Sequence, residues 1–180
     1  PMQSKSSLTA EEIKTYPIGS DPARKVSEKV SELYGVRFSV HHSTGQPDTL
    51  YYPYRGGYKV RKADKNFHIA GKISGLFGQD QAIQGQVLII TEGEEDALAA
   101  KTIFLDESLG VKVPYDVVSL PNGVQGQGKI DPTVLKELEF LKGYKRIFLC
   151  LDADEPGQEA AVTYADWLAP VTEVRIVNLL

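Results

Sequence analysis

Cysteine is nearly absent. A single residue, Cys150, in a chain of 180 excludes an internal disulfide framework and a self-contained zinc site of the two- or four-cysteine kind, and it fits a reducing compartment. Long apolar runs are missing as well: no window approaches the roughly 18 to 20 uninterrupted apolar residues of a membrane span. The polar opening Pro1 to Ala10 lacks the apolar stretch of a signal peptide. The expectation is a cytoplasmic protein with no membrane contact. Nor is there a strong excess of one charge. With 20 Lys+Arg against 24 Asp+Glu the balance is −4, too near neutral for the whole surface to coat a nucleic acid or an anionic membrane, so any such contact must be local. The opening Pro1-Met2 reads as a scar of tag removal, and the chain as a piece of something longer.

What is present is ordinary apolar material, 42% of positions, which rules out intrinsic disorder and suffices for one core or two small ones. Charge divides it: residues 1–84 hold 12 Lys+Arg and 8 Asp+Glu, whereas 85–180 hold 8 and 16. Two regions of different chemistry are therefore expected, a small basic α+β subdomain over 1–84 and a larger domain over 85–180. In the first, Thr9 with Glu12 fits a capping box. Asp21-Pro22 reads as the start of a helix through Val26, Val30 and Leu33 that Gly35 stops. Tyr51, Tyr52, Tyr54, Tyr58 and Val60 around Arg55-Gly56-Gly57 predict a hairpin with a glycine turn.

After residue 86 the pattern becomes strand, helix, strand, helix. Apolar runs at Val87 to Ile90, Val117 to Leu120, Arg146 to Leu151 and Glu173 to Leu179 alternate with helical segments at Glu94 to Leu105, Asp131 to Leu141 and Pro156 to Leu168. This predicts an α/β fold, a parallel sheet flanked by helices. Ligands of such sheets collect at the carboxyl ends of the strands. Those ends carry Thr91-Glu92-Gly93-Glu94-Glu95-Asp96, Pro121-Asn122-Gly123-Val124 and Asp152-Ala153-Asp154-Glu155-Pro156-Gly157.

Taken singly, each acid serves well as a helix cap or a partner of the helix dipole. Taken together they form a cluster of Glu92, Asp152 and Asp154, with Asp96 one helical turn beyond Glu92, and that cluster suits a hard divalent cation, Mg²⁺ or Mn²⁺. Asn122 and the backbone at Gly123 are candidates for a phosphate contact, and a flexible glycine loop is the equal alternative. Between Arg55 and Lys72 stand six Lys+Arg and one acid, interleaved with Tyr54, Tyr58 and Phe67. That composition suits phosphates and stacked bases, or else lysines guarding an exposed strand edge. His41-His42 reads as a polar loop, Cys150 as an inert core thiol, and Trp167 as packing its helix on the sheet.

The runs Val87 to Leu98 and Ile147 to Gly157 resemble the two signature motifs of the TOPRIM domain, a Glu after the first strand and Asp-x-Asp after the third. Lys59-Val60-Arg61-Lys62-Ala63-Asp64-Lys65-Asn66-Phe67, with Gly71 and Leu76-Phe77-Gly78, resembles the small subdomain preceding TOPRIM in phage primase-helicases related to Twinkle, whose TOPRIM is of the bacterial-primase kind. Together the likeness spans roughly residues 50 to 180.

The resemblance implies a Rossmann-like TOPRIM sheet and a metal-dependent nucleotidyltransferase, a DNA primase making RNA primers on single-stranded DNA from ribonucleoside triphosphates. Glu92, Asp152 and Asp154 would be its catalytic residues, joined by Asp96 as metal ligands. Lys59, Lys65 and Arg61 would hold nucleotide or primer, and His68 stands where the family has a further basic residue. A helicase domain or protein is the implied partner, since such chains continue past the fourth strand into an acidic segment and a motor, and carry an upstream zinc ribbon. A TOPRIM nuclease and a noncatalytic binding or assembly module are the alternatives.

Overall fold

A computed structural model describes residues 8–62, 66–106, 108, 110, 114–124 and 128–178. Two compact units divide the chain, Pro1–Ser74 and Gly75–Leu180.

The first unit is a three-stranded antiparallel sheet, β1 (Arg37–Val40), β2 (Pro47–Lys62) and β3 (Phe67–Ser74), in that order. Two short helices accompany it, α1 (Ala10–Ile13) and α2 (Glu28–Tyr34). The capping box read from Thr9 and Glu12 is present: the Glu12 N–H donates to Thr9 Oγ1 at 3.2 Å and the Thr9 N–H to Glu12 Oε2 at 2.7 Å. Gly35 closes α2 as expected, but the helix does not begin at Asp21-Pro22. Pro22–Arg24 form one 3-10 turn, Lys25 takes φ 55, and Ser27 then caps the helix proper by accepting from the Val30 N–H at 3.3 Å. The left-handed backbone at Lys25 is what separates the two.

Arg55-Gly56-Gly57 is not a turn. β2 runs through it to Lys62, whose N–H donates to the Asn66 carbonyl at 3.0 Å just before β3 begins. Between the pairs Arg55–Ser74 and Gly57–Gly71 the register shifts, so that Gly56 alone stands against Lys72 and Ile73 and the extra residue of the bulge belongs to β3. Tyr51, Tyr58 and Val60 of β2 pack with Ala70 and Ile13 in one apolar cluster. Glycine is required here because Gly56 has φ +83 and a Cβ on it would lie 2.3 Å from the Lys72 carbonyl oxygen. His41 sits in the exposed loop after β1, its ring nitrogen bonded to Ser43 Oγ at 2.9 Å, as a polar loop should.

The second unit is a four-stranded parallel sheet of β4 (Val87–Thr91), β5 (Tyr115–Ser119), β6 (Arg146–Cys150) and β7 (Glu173–Ile176), ordered β5-β4-β6-β7. Its helices are α3 (Glu94–Phe104), α4 (Pro132–Leu135), α5 (Leu138–Leu141) and α6 (Glu155–Leu168). Leu88, Ile90, Val118, Ile147 and Leu149 point to one face and pack with Val134, Leu141, Ala160, Ala161, Tyr164 and Leu168 from α4, α5 and α6, with Trp167 at the margin. Ile89 and Val117 point to the other face and are also buried, and α3 packs against β4 and β5. Burial on both faces is why these strands are unbroken apolar runs. The helix expected from Asp131 to Leu141 is two one-turn helices, because the Glu137 N–H bonds Val134 O, three residues back, in a tighter turn. β7 ends at Ile176 rather than Leu179, and the residues after 178 lie outside those described.

The unit boundary lies at Ser74/Gly75, upstream of the expected 84/85. Residues 75–85 are tied to the parallel sheet. Phe77 is fully buried and exchanges both backbone hydrogen bonds with Ser119, at 3.2 and 3.1 Å. Asp116, itself 2% exposed, accepts from the N–H groups of Ile83 and Gly85 and from the Tyr144 hydroxyl. Three donors satisfy the buried carboxyl oxygens. Among the described residues no helix is long and apolar enough to cross a membrane.

Candidate active site

β4 is central in its sheet. The chain leaves it toward β5, then crosses back over it to β6, so the strand order reverses at the carboxyl end of β4 and a crevice opens there. In-register pairing sets Thr91 level with Ser119 and Cys150, so three strands end together. Glu92 follows the first of these ends, and Asp152 and Asp154 follow the third.

Sixty residues apart in sequence, Glu92 and Asp152 meet: the Asp152 N–H donates to Glu92 Oε2 at 3.3 Å. From the third side the loop after β5 reaches over, and a Cβ on Gly123 would lie 3.6 Å from Glu92 Oε1. Asp154 caps α6, accepting from the Gly157 N–H at 2.9 Å with Oδ1. Asp154 is thus a helix cap whose carboxylate also acts electrostatically on Glu92. Gly157 explains how tightly this loop is held: a Cβ there would lie 2.2 Å from the Asp152 carbonyl oxygen. A residue without a side chain lets the first turn of α6 seat this closely on the Asp152 peptide.

The surroundings of Glu92 disfavour its charged form. Burial, foremost, and then the carboxylates of Asp152 and Asp154 push the Glu92 carboxyl above the usual carboxylate range, against the lowering effect of N–H groups at Asp152 and Val124. The positive end of α3 lies next to it, with Glu94, Glu95 and Asp96 in its first turn. Among the described residues no three Asp, Glu, His or Cys side chains are gathered into a ready-made metal cage. The donor set nevertheless fits Mg²⁺ or Mn²⁺. It is all oxygen, its mutual repulsion is what a cation relieves, and Mg²⁺ keeps several waters and takes only one or two carboxylates directly. A cavity of about 460 Å³ opens beside it, lined by Asp152, Gly157, Gln158, Val162, Ile176 and Asn178 among others, within the size range of small-ligand sites.

Other expected residues fall into place unevenly. Asp96 is exposed on α3, and its Oδ2 lies 2.9 Å from where a Cβ on Gly93 would be. Asn122 is turned to a structural duty, donating from Nδ2 to Asp131 Oδ2 at 2.7 Å. The buried Asp131 also accepts from the Thr133 N–H, and its own N–H donates to the Tyr164 hydroxyl. This Asn122–Asp131–Tyr164 chain, which braces the loop over Glu92, escaped the sequence reading; Asp131 stood out there only as a helix cap. Glu94, only 5% exposed, was likewise hidden among neighbouring acids. Cys150 is half-buried, and burial raises its thiol, in keeping with an inert group. In the first unit Lys59 and Arg61 lie on β2 and flank the Phe67 ring. His68 pairs with Val60, so alternation puts it on the opposite face of the strand from Phe67. Lys65 lies outside the described residues.

The Toprim-like family model matches residues 89–179. The chain belongs to the Toprim-like family. Both signature acidic motifs lie within that span. Among solved structures, the chain is similar to the primase fragment of the bacteriophage T7 primase-helicase, with 27% identity and a TM-score of 0.72 over 99% of this chain and 74% of that one. It is also similar to a chain in a complex of bacteriophage T7 lagging-strand DNA polymerase with primase domains bound to an RNA/DNA hybrid and dTTP. There the identity is 25% and the TM-score 0.63, over 97% of this chain and 71% of that one. The zinc-binding and RNA polymerase domains of the Aquifex aeolicus primase share the fold, at 14% identity and a TM-score of 0.60 over 88% and 48%. A search of curated protein sequences finds no match. These likenesses support a DNA primase-type role for this Toprim-like chain.

Proposed function

We propose that this protein is the catalytic core of a DNA primase, joining ribonucleotides into short primers on a single-stranded DNA template. What carries the reading is the approach of Glu92 to the Asp152-x-Asp154 loop at the switch point of the sheet, on a chain whose fold is that of primase fragments. Glu92, Asp152 and Asp154, with Asp96 at the edge, would hold Mg²⁺ or Mn²⁺. When bound, the cation neutralises triphosphate charge and lowers the barrier to attack on the α-phosphate.

The residues of the chain do the rest. Asp152 and Asp154 are fixed by the seat of α6 and hold their carboxylates where the strand ends. Glu92, with its raised proton affinity, is suited to take the proton of the primer 3′-hydroxyl as the new P–O bond forms and pyrophosphate leaves with the electrons of the broken α–β bond. Lys59, Arg61 and Lys65 would grip the triphosphate or the primer, and the Gly123 backbone would approach phosphate over Glu92. The expected partners are single-stranded template, ribonucleoside triphosphates and a helicase domain or protein, and the expected setting is the cytoplasm.

The test is incubation of the protein with Mg²⁺ or Mn²⁺, labelled ribonucleotides and single-stranded DNA. Primers that vanish in Glu92→Gln and Asp152→Asn, with melting curves unchanged in shape, are the expected result. Cleavage of the DNA would make the site a nuclease instead, and neither product would leave a binding module.

A further inference from the structure

The outer face of the β2–β3 ribbon carries an exposed aromatic ring to which the proposed reaction gives no part. Phe67 is 51% exposed and Ile69, two residues on, is 52% exposed. Register pairs Arg61 with Phe67 and Lys59 with Ile69, and alternation sends all four side chains to one side, away from buried Tyr58, Val60 and Ala70. Lys59 Nζ stands 5.1 Å and Arg61 Cζ 5.5 Å from the centre of the Phe67 ring. A phenyl ring left half in water has no packing reason to be there, and two cations beside it are unsuited to receive an apolar partner. A ring flanked by cations on an exposed strand is instead the arrangement that receives one base on the aromatic face while the cations meet the neighbouring phosphates.

We propose that Phe67 is a base-stacking residue, which with Lys59 and Arg61 forms a platform for single-stranded nucleic acid on the outer face of β2 and β3. The proposal rests on the nucleic-acid reading of this protein but not on its catalysis. Stacking is indifferent to base identity, so the platform holds the strand without choosing its sequence. Ile69 extends the apolar floor beside the ring.

The experiment measures binding of a short labelled oligothymidylate to the 180-residue chain by fluorescence anisotropy, across a salt series, without divalent metal. Phe67→Ala is expected to weaken binding about 5- to 100-fold with the salt slope unchanged, since a stacked base and not a phosphate is lost. Phe67→Trp keeps the affinity, and its indole emission falls on binding. Lys59→Ala lowers the salt slope by about 0.7. An abasic strand of equal length weakens wild-type binding and leaves Phe67→Ala unchanged. Equal binding by wild type and Phe67→Ala, or no binding by wild type at low salt, would overturn the proposal and leave the patch to a protein partner. Primer synthesis lost in Glu92→Gln would stand or fall separately.

Discussion

Replacing Gly157 by alanine sets two known effects against each other. In a helix the change is ordinarily favourable, by about 0.5–1 kcal/mol, because glycine loses more backbone freedom on folding. Here the new methyl would arrive 2.2 Å from the Asp152 carbonyl oxygen, 2.9 Å from its carbon and 3.1 Å from its nitrogen. All three contacts are backbone, so no flexible side chain can swing aside, and the helix or the Asp152 peptide must move by roughly 1 Å to restore ordinary contact. Forcing such a shift in packed structure costs about 1–3 kcal/mol, which exceeds the helix gain. A net loss of about 1 kcal/mol is expected, or about 2–4 °C in Tm for a chain of this size.

The consequence for chemistry is larger. Displacing Asp152 by that amount relative to Glu92 breaks the 3.3 Å contact between them and is expected to lower primer synthesis about 100-fold. Thermal unfolding by circular dichroism and primer synthesis on single-stranded DNA read the two effects separately. A Gly157→Ala protein that melts higher than wild type and makes primers at the wild-type rate would refute the view that this seat positions the acidic loop.

The raised proton affinity of Glu92 has a defined sign. Because its folded value lies above its unfolded one, the folded state is penalised at neutral pH. That penalty fades as pH falls through the folded value and is gone below the ordinary glutamate range, near 4.3. Metal-free Glu92→Gln should therefore melt higher than wild type at pH 7 to 8, with the gap closing on acidification; Mg²⁺ should raise the wild-type Tm and leave the variant unmoved. Asp131→Ala removes the cap of α4 and the anchor of Asn122. It should cost about 1–3 kcal/mol in urea unfolding and lower primer synthesis more than DNA binding, because the loop over Glu92 loses its brace.

How much of this could be read from the sequence varied with how local the cause was. The capping box at Thr9, the stop at Gly35 and the four strands at Val87, Val117, Arg146 and Glu173 each follow from residues within a few positions, and all are present, although β5 begins earlier, at Tyr115, and β7 ends earlier, at Ile176. The approach of Glu92 to Asp152 was legible because a parallel sheet obliges strand ends to meet. Two features were hidden because their causes are distant. Gly56-Gly57 has the composition of a turn, and only its pairing with distant Gly71 keeps it within a strand, opposite a bulge of β3. Residues 75–85 look like a linker until Asp116, far along the chain, is seen to hold Ile83 and Gly85. The duty of Asn122 likewise depends on Asp131 and Tyr164, brought to it by the packing of α4 and α6.

The central claim is that Glu92, Asp152 and Asp154 share a divalent cation. Anomalous diffraction from a crystal soaked in manganese tests it most directly. The account requires an ion peak among those three carboxylates, lost in Asp152→Asn. A fully occupied crystal with no peak there, or with the three side chains turned apart around water, would contradict it.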